Sequence, residues 1–235
     1  MNLQREFREF WTEFIDHGSW ERVLKVGLVN TVEIAVFGLL IGIVIGTLIA
    51  AVAVMPKYKR LPRVLDKICR VYVAFFRGTP MVVQLLLSYY VLFPLIRLNL
   101  SSLTTCILVF GLNSGAYVSE IMRAGILAVD PGQMEAGRAI GLSFGVTMRK
   151  IIIPQAVKNI LPTLGNEFIA LIKDTSIASF VAAGELYKVF TEIGNITYHY
   201  MVPYIAMAII YILLVMLISI GIKLLEGRLK KNERG

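Results

Sequence analysis

Asp130–Pro154 reads DPGQMEAGRAIGLSFGVTMRKIIIP, a polar and basic stretch between two strongly apolar runs. Asp130-Pro131-Gly132 predicts a turn and a helix start, because aspartate caps a helix N-terminus and proline is tolerated in the first helical turn. Gln133–Ile140 has the length of about two helical turns, and Gly141 suits a helix end that needs a left-handed residue. We therefore expect a short surface helix, followed by a second break at Gly145.

The chain as a whole is strongly apolar. Of its 235 residues, 57% are hydrophobic and the mean hydropathy is +0.71, whereas soluble domains hold about 45–50% apolar residues. The net charge of +8 comes from basic residues that are bunched along the chain, and no fingerprint of RNA binding accompanies them. The composition predicts a single membrane domain, residues 1–235, and argues against a nucleic-acid partner.

Five apolar runs have the roughly 20 residues that a membrane-spanning helix needs. The segment between the last two, Ala182–Tyr200, is predicted to be a mixed loop. We therefore predict an all-α integral membrane fold with five transmembrane helices. The spans are Val26–Met55, Val71–Ile96, Leu103–Val129, Leu161–Val181 and Met201–Ile222.

Basic residues mark one side of the predicted membrane. They cluster after Pro56, in the Asp130–Pro154 loop and in the C-terminal tail, whereas residues 1–21 carry five acidic residues against two basic ones. Since basic loops stay in the cytoplasm, we expect an outside N-terminus and a cytoplasmic C-terminus. The basic residues are Lys57, Lys59, Arg60, Arg63, Lys67, Arg70, Arg138, Arg149, Lys150, Arg228, Lys230, Lys231 and Arg234.

The N-terminal segment, residues 1–22, is amphipathic. Phe7, Phe10, Trp11 and Phe14 recur at spacings of three and four, which predicts a helix lying at the membrane interface. The segment lacks the basic start and apolar core of a cleaved signal peptide.

Residue types that carry catalysis or bind metal are sparse. Cys69 and Cys106 form no CxxC pair and are typical of packing residues, and His17 lies far from His199 in the sequence. The chain has no GxxxxGK[ST] phosphate loop. We therefore predict no catalytic site, no metal site and no ATP bound by this chain.

The second apolar run is interrupted by Arg77-Gly78-Thr79-Pro80, with Gln84 one turn later. Proline lacks the N–H that a helix interior needs. Inside a membrane, such a break persists only where protein or a water-filled cavity satisfies the freed backbone groups. The pattern fits a simple kink, with Arg77 as an ion-pair partner, and it also fits an element that lines a cavity.

The fourth apolar run carries Asn166-Glu167 and Lys173-Asp174. An intramembrane charge costs about 2.5–3.5 kcal/mol, so such residues turn towards a cavity or towards each other. Glu167 and Asp174 are seven residues apart and share one helical face. Asn166 and Glu167 are therefore candidates to line a translocation path, where a carboxylate would attract an ammonium group. An internal salt-bridge network explains the same pattern.

A polar stripe on the third run consists of Asn113, Ser114, Tyr117 and Glu120. Asn113, Tyr117 and Glu120 follow the spacing of one helical face. They are placed to meet Arg77 of the second run, and we favour structural pairing over ligand contact for this stripe.

Several spaced positions resemble the "EAA" signature of bacterial ABC importer permeases. Glu135-Ala136, Gly141, Ile151, Ile153 and Pro154 match its order, and Gly137 departs from it because the third position is usually alanine. The RGTP segment and Leu161–Glu167 are similar to segments of the polar amino acid group, which covers histidine, glutamine, arginine and opine importers. The resemblance spans nearly the whole chain.

The resemblance implies a type I ABC importer permease fold whose coupling helix docks into a cytoplasmic ATPase. It implies two ATPase subunits that hold ATP and Mg²⁺, a second permease copy or sister subunit, an external substrate-binding protein, and a bacterial inner-membrane location. The expected coupling residues are Glu135, Ala136, Gly137, Arg138 and Gly141. The expected contacts with an amino acid substrate are Glu167, Asn166, Arg77, Thr79, Gln84 and Asp174.

A different class of transporter also fits the charged residues. An ion- or proton-driven secondary transporter would use Glu120 and Glu167 as proton sites and would work without an ATPase. Under the ATPase-driven interpretation, Glu167 favours arginine, lysine or histidine as substrate. A non-transporting scaffold gives no reason for several charges in one span.

Overall fold

The computed structural model describes residues 3–56, 58 and 60–231, and these residues contain helices but no strand. Lys57, Lys59 and Arg234 of the predicted basic segments lie outside them, as do the side chains of Lys230 and Lys231. The all-α prediction is confirmed. The helices are α1 (Leu3–Trp11), α2 (Ser19–Val54), α3 (Arg60–Gly78), α4 (Met81–Leu95), α5 (Ser102–Leu127), α6 (Pro131–Ala139), α7 (Ile153–Asp174), α8 (Leu186–Thr197) and α9 (Met201–Lys231).

The centre of the fold is the close packing of α2 on α5. Gly38, Gly42 and Gly46 recur every fourth residue on α2, while Gly111 and Gly115 do so on α5. A Cβ atom built at Gly42 would lie 2.7 Å from Ser114 Oγ, and one at Gly111 would lie 2.6 Å from the Ile41 side chain. Small residues at this spacing let two apolar helices approach closely.

The predicted break in the second apolar run is confirmed. α3 ends at Gly78, α4 begins at Met81, and the two helices are bent by 104°. The start of α3 was predicted too late, because the helix begins at Arg60 rather than Val71. Its basic residues lie along a helix rather than in a loop, and Arg70 forms an ion pair with the buried Asp66.

The local structure of the Asp130–Pro154 stretch follows its capping residues. The Asp130 side chain accepts a hydrogen bond from Gly132 N at 2.9 Å at the start of α6. Gly141 takes the predicted left-handed conformation, with φ +86°, beyond the helix end. The predicted second break at Gly145 is wrong, because Ser143 caps a helical turn, Phe144–Thr147, that continues through a π turn into α7.

Two helix limits near the C-terminal half differ from the sequence prediction. α7 begins at Ile153 instead of Leu161 and ends at Asp174, where a 3₁₀ turn, Thr175–Val181, follows. The predicted loop 182–200 contains α8, because Glu185 caps its first turn through Tyr187 N and Lys188 N. Leu186, Val189, Phe190 and Ile193 bury the inner face of α8.

Within the described residues, three helices are long and apolar enough to cross a membrane: α2, α5 and α9 up to Arg228. The bent α3–α4 pair would make a fourth span. α7 is not among them, and it carries Lys158, Glu167, Lys173 and Asp174 along its length. The count of five spans stays a prediction.

One face of the N-terminal helical segment packs against the rest of the protein. Phe10 is buried and stacks on Phe14, whose ring lies 6.5 Å from that of Phe190 on α8. Phe7 and Trp11 point away and are more than half exposed. The helix is therefore amphipathic as predicted, and its position at the membrane interface stays a prediction.

Candidate functional site

A cavity of about 220 Å³ lies where the start of α4 meets α5 and α7. It brings together Thr79 from the helix break, Asn113 and Tyr117 from the polar stripe of α5, and Glu167 and Asp174 from α7. The two acidic residues share the cavity because they lie two turns apart on one face of the same helix. Met81, Ala170 and Leu171 complete the lining.

Glu167 is held in this cavity by a hydrogen bond. Ser114 Oγ donates to Glu167 Oε1 at 2.9 Å, and Ser114 is completely buried. The serine fits there because Gly42 of α2 faces it without a side chain. One carboxylate oxygen is therefore fixed by the protein, and the group still lines the cavity.

Gln84 organises the helix break beside the cavity. Its Nε2 donates to Phe76 O at 2.9 Å, to Thr79 O at 3.1 Å and to Thr79 Oγ1 at 2.8 Å. Asn113 Nδ2 donates to Gln84 Oε1 at 2.9 Å. Gln84 is buried and does not line the cavity, so these contacts give it a structural role, and its predicted contact with substrate stays a prediction.

Arg77 meets the polar stripe through an aromatic ring. Its guanidinium carbon lies 5.3 Å from the centre of the Tyr117 ring, a cation–π contact. Glu120 pairs with Arg123 on its own helix, with the charged atoms 2.8 Å apart. The expected meeting of the stripe with Arg77 therefore occurs at Tyr117, and Arg77 itself does not line the cavity.

Asn166 is a predicted site residue that the structure does not bring to the cavity. It is exposed and does not line the cavity. Consecutive residues of a helix point about 100° apart, so Asn166 cannot face the same way as Glu167. Its contact with substrate stays a prediction that the cavity does not support.

A second candidate surface is the exposed side of α6. Glu135, Ala136, Arg138 and Ile140 are exposed, and Ile140 is 76% exposed. In the part of the chain that the structure describes, no ion pair joins Glu135 to Arg138. A mixed surface of this kind offers charged and apolar groups to a partner.

The inward side of α6 explains its unusual glycine. Gly137 is buried, and a Cβ atom built there would lie 2.5 Å from Thr147 Cγ2. Thr147 belongs to the helical turn that leads into α7, and it is completely buried. The sequence does not predict this contact, since no spacing rule links residues ten positions apart across a turn.

The arrangement can bind a cationic group. Two carboxylates and an amide oxygen are acceptors for ammonium or guanidinium N–H groups. Among the described residues, no group of three or more His, Cys, Asp or Glu side chains is arranged to hold a metal ion.

A charged cavity among apolar helices and an exposed surface helix define a membrane transport subunit. The chain belongs to the family of binding-protein-dependent transport system inner membrane components, whose sequence profile matches residues 31–231. Members of this family are transport subunits and are not themselves catalytic.

Individual relatives agree with this assignment. The arginine transport system permease protein ArtQ of Bacillus subtilis (strain 168) is 35% identical over 88% of this chain and 92% of its own. The L-cystine permease protein TcyB of the same strain is 38% identical over 93% of this chain and 91% of its own. A putative glutamine permease protein, GlnP of Rickettsia bellii (strain RML369-C), is 40% identical over 86% and 91%.

Solved structures support the fold. The crystal structure of an amino acid ABC transporter with histidines superposes with a TM-score of 0.79 at 39% identity, covering 86% of this chain and 92% of that one. The inward-facing MetNI methionine ABC transporter has the same fold, with a TM-score of 0.72 at 20% identity over 86% and 94%. The chain therefore has the type I ABC importer permease fold.

Proposed function

We propose that this chain is the permease subunit of an ATP-driven importer of polar amino acids with cationic side chains. The observation that carries the substrate class is the cavity where Glu167, Asp174 and Asn113 present acceptor oxygens. The amino acid transporters among its relatives support the general class. Family membership favours this function over an ion-coupled secondary transporter.

The coupling part of the proposal rests on α6. Its exposed face would dock on a cytoplasmic ATPase, and its buried Gly137 would pass the motion to α7 through Thr147. ATP and Mg²⁺ would bind on that partner, because this chain has no phosphate loop. Two permeases, identical or related, would sit over two ATPases, since a pair of closing ATPases needs two coupling helices.

The setting of the proposal is a bacterial inner membrane. The acidic N-terminal segment would lie outside, where a substrate-binding protein delivers the amino acid, and the basic C-terminal end would lie in the cytoplasm. Movement of the helices around the cavity would then expose it to one side and the other in turn, so transport needs no covalent chemistry.

The substrate class is tested by replacing Glu167 with glutamine in proteoliposomes that contain the complete transporter and its binding protein. We expect Glu167→Gln to lower the uptake of lysine and arginine at least about tenfold, because a charged hydrogen bond is lost, and to lower glutamine uptake less. Glu226→Gln on α9, away from the cavity, is the matched control. Equal losses for charged and neutral amino acids would contradict the assignment.

A further inference from the structure

Gln84 and Asn113 form a chain of side-chain amides whose orientation is set by the helix break. Phe76 O and Thr79 O are backbone carbonyls and can only accept, so the Gln84 atom that faces them must be nitrogen. Gln84 Oε1 therefore points to the other side, where it can only accept. Asn113 has to present its own nitrogen to that oxygen, and it does so at 2.9 Å.

This chain of constraints leaves one atom for the cavity. Asn113 Nδ2 is used by Gln84 Oε1 and by Phe76 O at 3.4 Å. Among the described residues, no group donates a hydrogen bond to Asn113 Oδ1. The buried side-chain oxygen without a partner in this part of the chain is Thr105 Oγ1. Asn113 Oδ1 is therefore unpaired but still accessible. Asn113 lines the cavity, and because its nitrogen is turned to Gln84 and Phe76, its oxygen is the amide atom left for a ligand.

We propose that Gln84 is a positioning residue that sets substrate specificity, because it fixes Asn113 as a pure acceptor towards the cavity. An asparagine that is free to rotate offers either N–H groups or an oxygen, and so tolerates both donors and anions. A locked one adds a third acceptor to Glu167 and Asp174. The cavity then favours ligands that donate and rejects anionic side chains, which would meet oxygen on three sides.

This inference rests on the proposed function, since it takes the cavity to be the substrate site. It differs from that proposal in concerning Gln84, which does not line the cavity. A cavity site built to hydrogen-bond donors rejects ligands that lack them, because its buried acceptors are left unpaired.

The test measures ligand binding to the purified permease–ATPase complex without its binding protein, so that the binding protein's own selectivity is bypassed. Lysine, arginine, glutamine and glutamate compete with a radiolabelled amino acid. The readout is the affinity ratio between the best-bound donor-bearing ligand and glutamate. The variants are Gln84→Met, Asn113→Leu and the double variant, with Gln155→Met on the exposed side of α7 as the matched control for Gln84→Met.

We expect each single variant to lower the ratio about tenfold and the double variant to lower it by the same factor, because each change removes the same fixed acceptor at Asn113. The ratio of Gln155→Met should equal that of the wild type. A merely structural role for Gln84 would lower all affinities together and leave the ratio unchanged. Either that result, or a double variant whose loss is the product of the two single losses, overturns the proposal that Gln84 acts through Asn113.

Two further outcomes are also decisive. Should Gln84→Met fail to assemble, Asn113→Leu still decides, because it leaves the bonds from Gln84 to Phe76 O and Thr79 O in place; an unchanged ratio in that variant overturns the proposal. If glutamine binds better than lysine and arginine, the cationic substrate class is wrong. The positioning role of Gln84 is then upheld if Gln84→Met lowers the ratio of the glutamine and glutamate affinities, and overturned if it does not.

Discussion

Single residues in this chain matter chiefly through what they allow a neighbour to do. Gly42 has no function in the cavity, yet it leaves room for Ser114, which holds Glu167. Gly137 similarly leaves room for Thr147 at the base of α7. The alanine that the EAA signature usually has at this position would overlap the Thr147 side chain, so packing explains the departure.

Replacing Gly137 with alanine tests this explanation. In a helix interior, alanine is more favourable than glycine by about 1 kcal/mol. Here, however, the added methyl group overlaps Thr147, and overpacking costs about 1–3 kcal/mol. We expect Gly137→Ala to lower the thermal unfolding temperature of the purified protein, and we expect the Gly137→Ala, Thr147→Ala pair to regain it. Thr147→Ala alone is the control. If Gly137→Ala alone raised the unfolding temperature, the overlap with Thr147 would be relieved without cost and the packing explanation would be contradicted.

Glu185 gives the fold a dependence on pH. Burial raises the pKa of its carboxyl from an ordinary value of 4.5 to about 7, although Tyr187 N, Lys188 N and the Tyr211 hydroxyl all donate to it. A folded-state pKa above the unfolded value means that the fold binds the proton more tightly. The stabilisation from this group is therefore complete below pH 4.5 and is lost as the pH rises through about 7.

We accordingly expect the wild type to lose thermal stability between pH 5 and pH 8, by up to about 3 kcal/mol from this group. Glu185→Gln mimics the protonated form and should flatten that part of the profile. Thermal unfolding measured across this range, with Glu226→Gln as the control, checks the expectation. A Glu185→Gln profile as steep as that of the wild type would assign the pH dependence to other groups.

At the scale of whole elements, the local chemistry of the sequence was a better guide than its polarity. The limits of α6 were predictable, because Asp130, Pro131 and Gly141 act within one turn of the helix ends. The start of α3 was not, because the basic face of an amphipathic helix has the same composition as a basic loop. α8 was missed for a tertiary reason: its cap, Glu185, is completely buried and takes effect only in the folded core.

The same distinction applies to the site. Glu167 and Asp174 were predictable as a pair from their spacing on one helix, and both line the cavity. Asn166 was predicted from its neighbour Glu167, but the helical rotation between them turns it away. The bonds from Gln84 to the helix break depend on a 104° bend, and its bond with Asn113 joins two helices. No periodicity in the sequence encodes either contact.

The helix end at Gly141 is the element whose alteration should uncouple transport. Its φ of +86° is costly for a β-branched residue, so Gly141→Val should displace the end of α6 from the chain that follows. We expect at least about a tenfold loss of substrate-stimulated ATPase activity in the reconstituted complex, with membrane insertion intact. Gly145→Val, where the backbone is helical and a Cβ atom has open space, is the control. Unchanged stimulation in Gly141→Val would remove α6 from the coupling path.

At the scale of the molecule, the fold separates a charged cavity from an exposed surface helix and connects the two. The turn Phe144–Thr147 contacts Gly137 on one side and runs on into α7, which carries Glu167. A displacement of α6 would therefore reach the cavity through continuous helical backbone. Since packed helices move as rigid bodies more readily than they deform, this connection suits a transporter that alternates between two states.

The orientation of the molecule in the membrane is open to direct measurement. Gln4 and Gln133 are both exposed, and they lie in segments predicted to face opposite sides. In a Cys69→Ser, Cys106→Ala background, an impermeant maleimide added to spheroplasts should label Gln4→Cys and should label Gln133→Cys only after permeabilisation. Labelling of both sites in sealed cells, or the reverse pattern, would contradict an outside N-terminus.

The glycine stripe of α2 has a consequence for how this transporter changes during evolution. Because Gly42 leaves room for Ser114, which donates to Glu167, a substitution on α2, which does not line the cavity, would alter the group that we propose to bind the amino acid. We therefore expect selection for growth on a new amino acid as nitrogen source to recover substitutions in α2 as well as in the residues that line the cavity. Such alleles would change helix packing in the folded protein, yet their effect in the cell would be a changed range of imported amino acids.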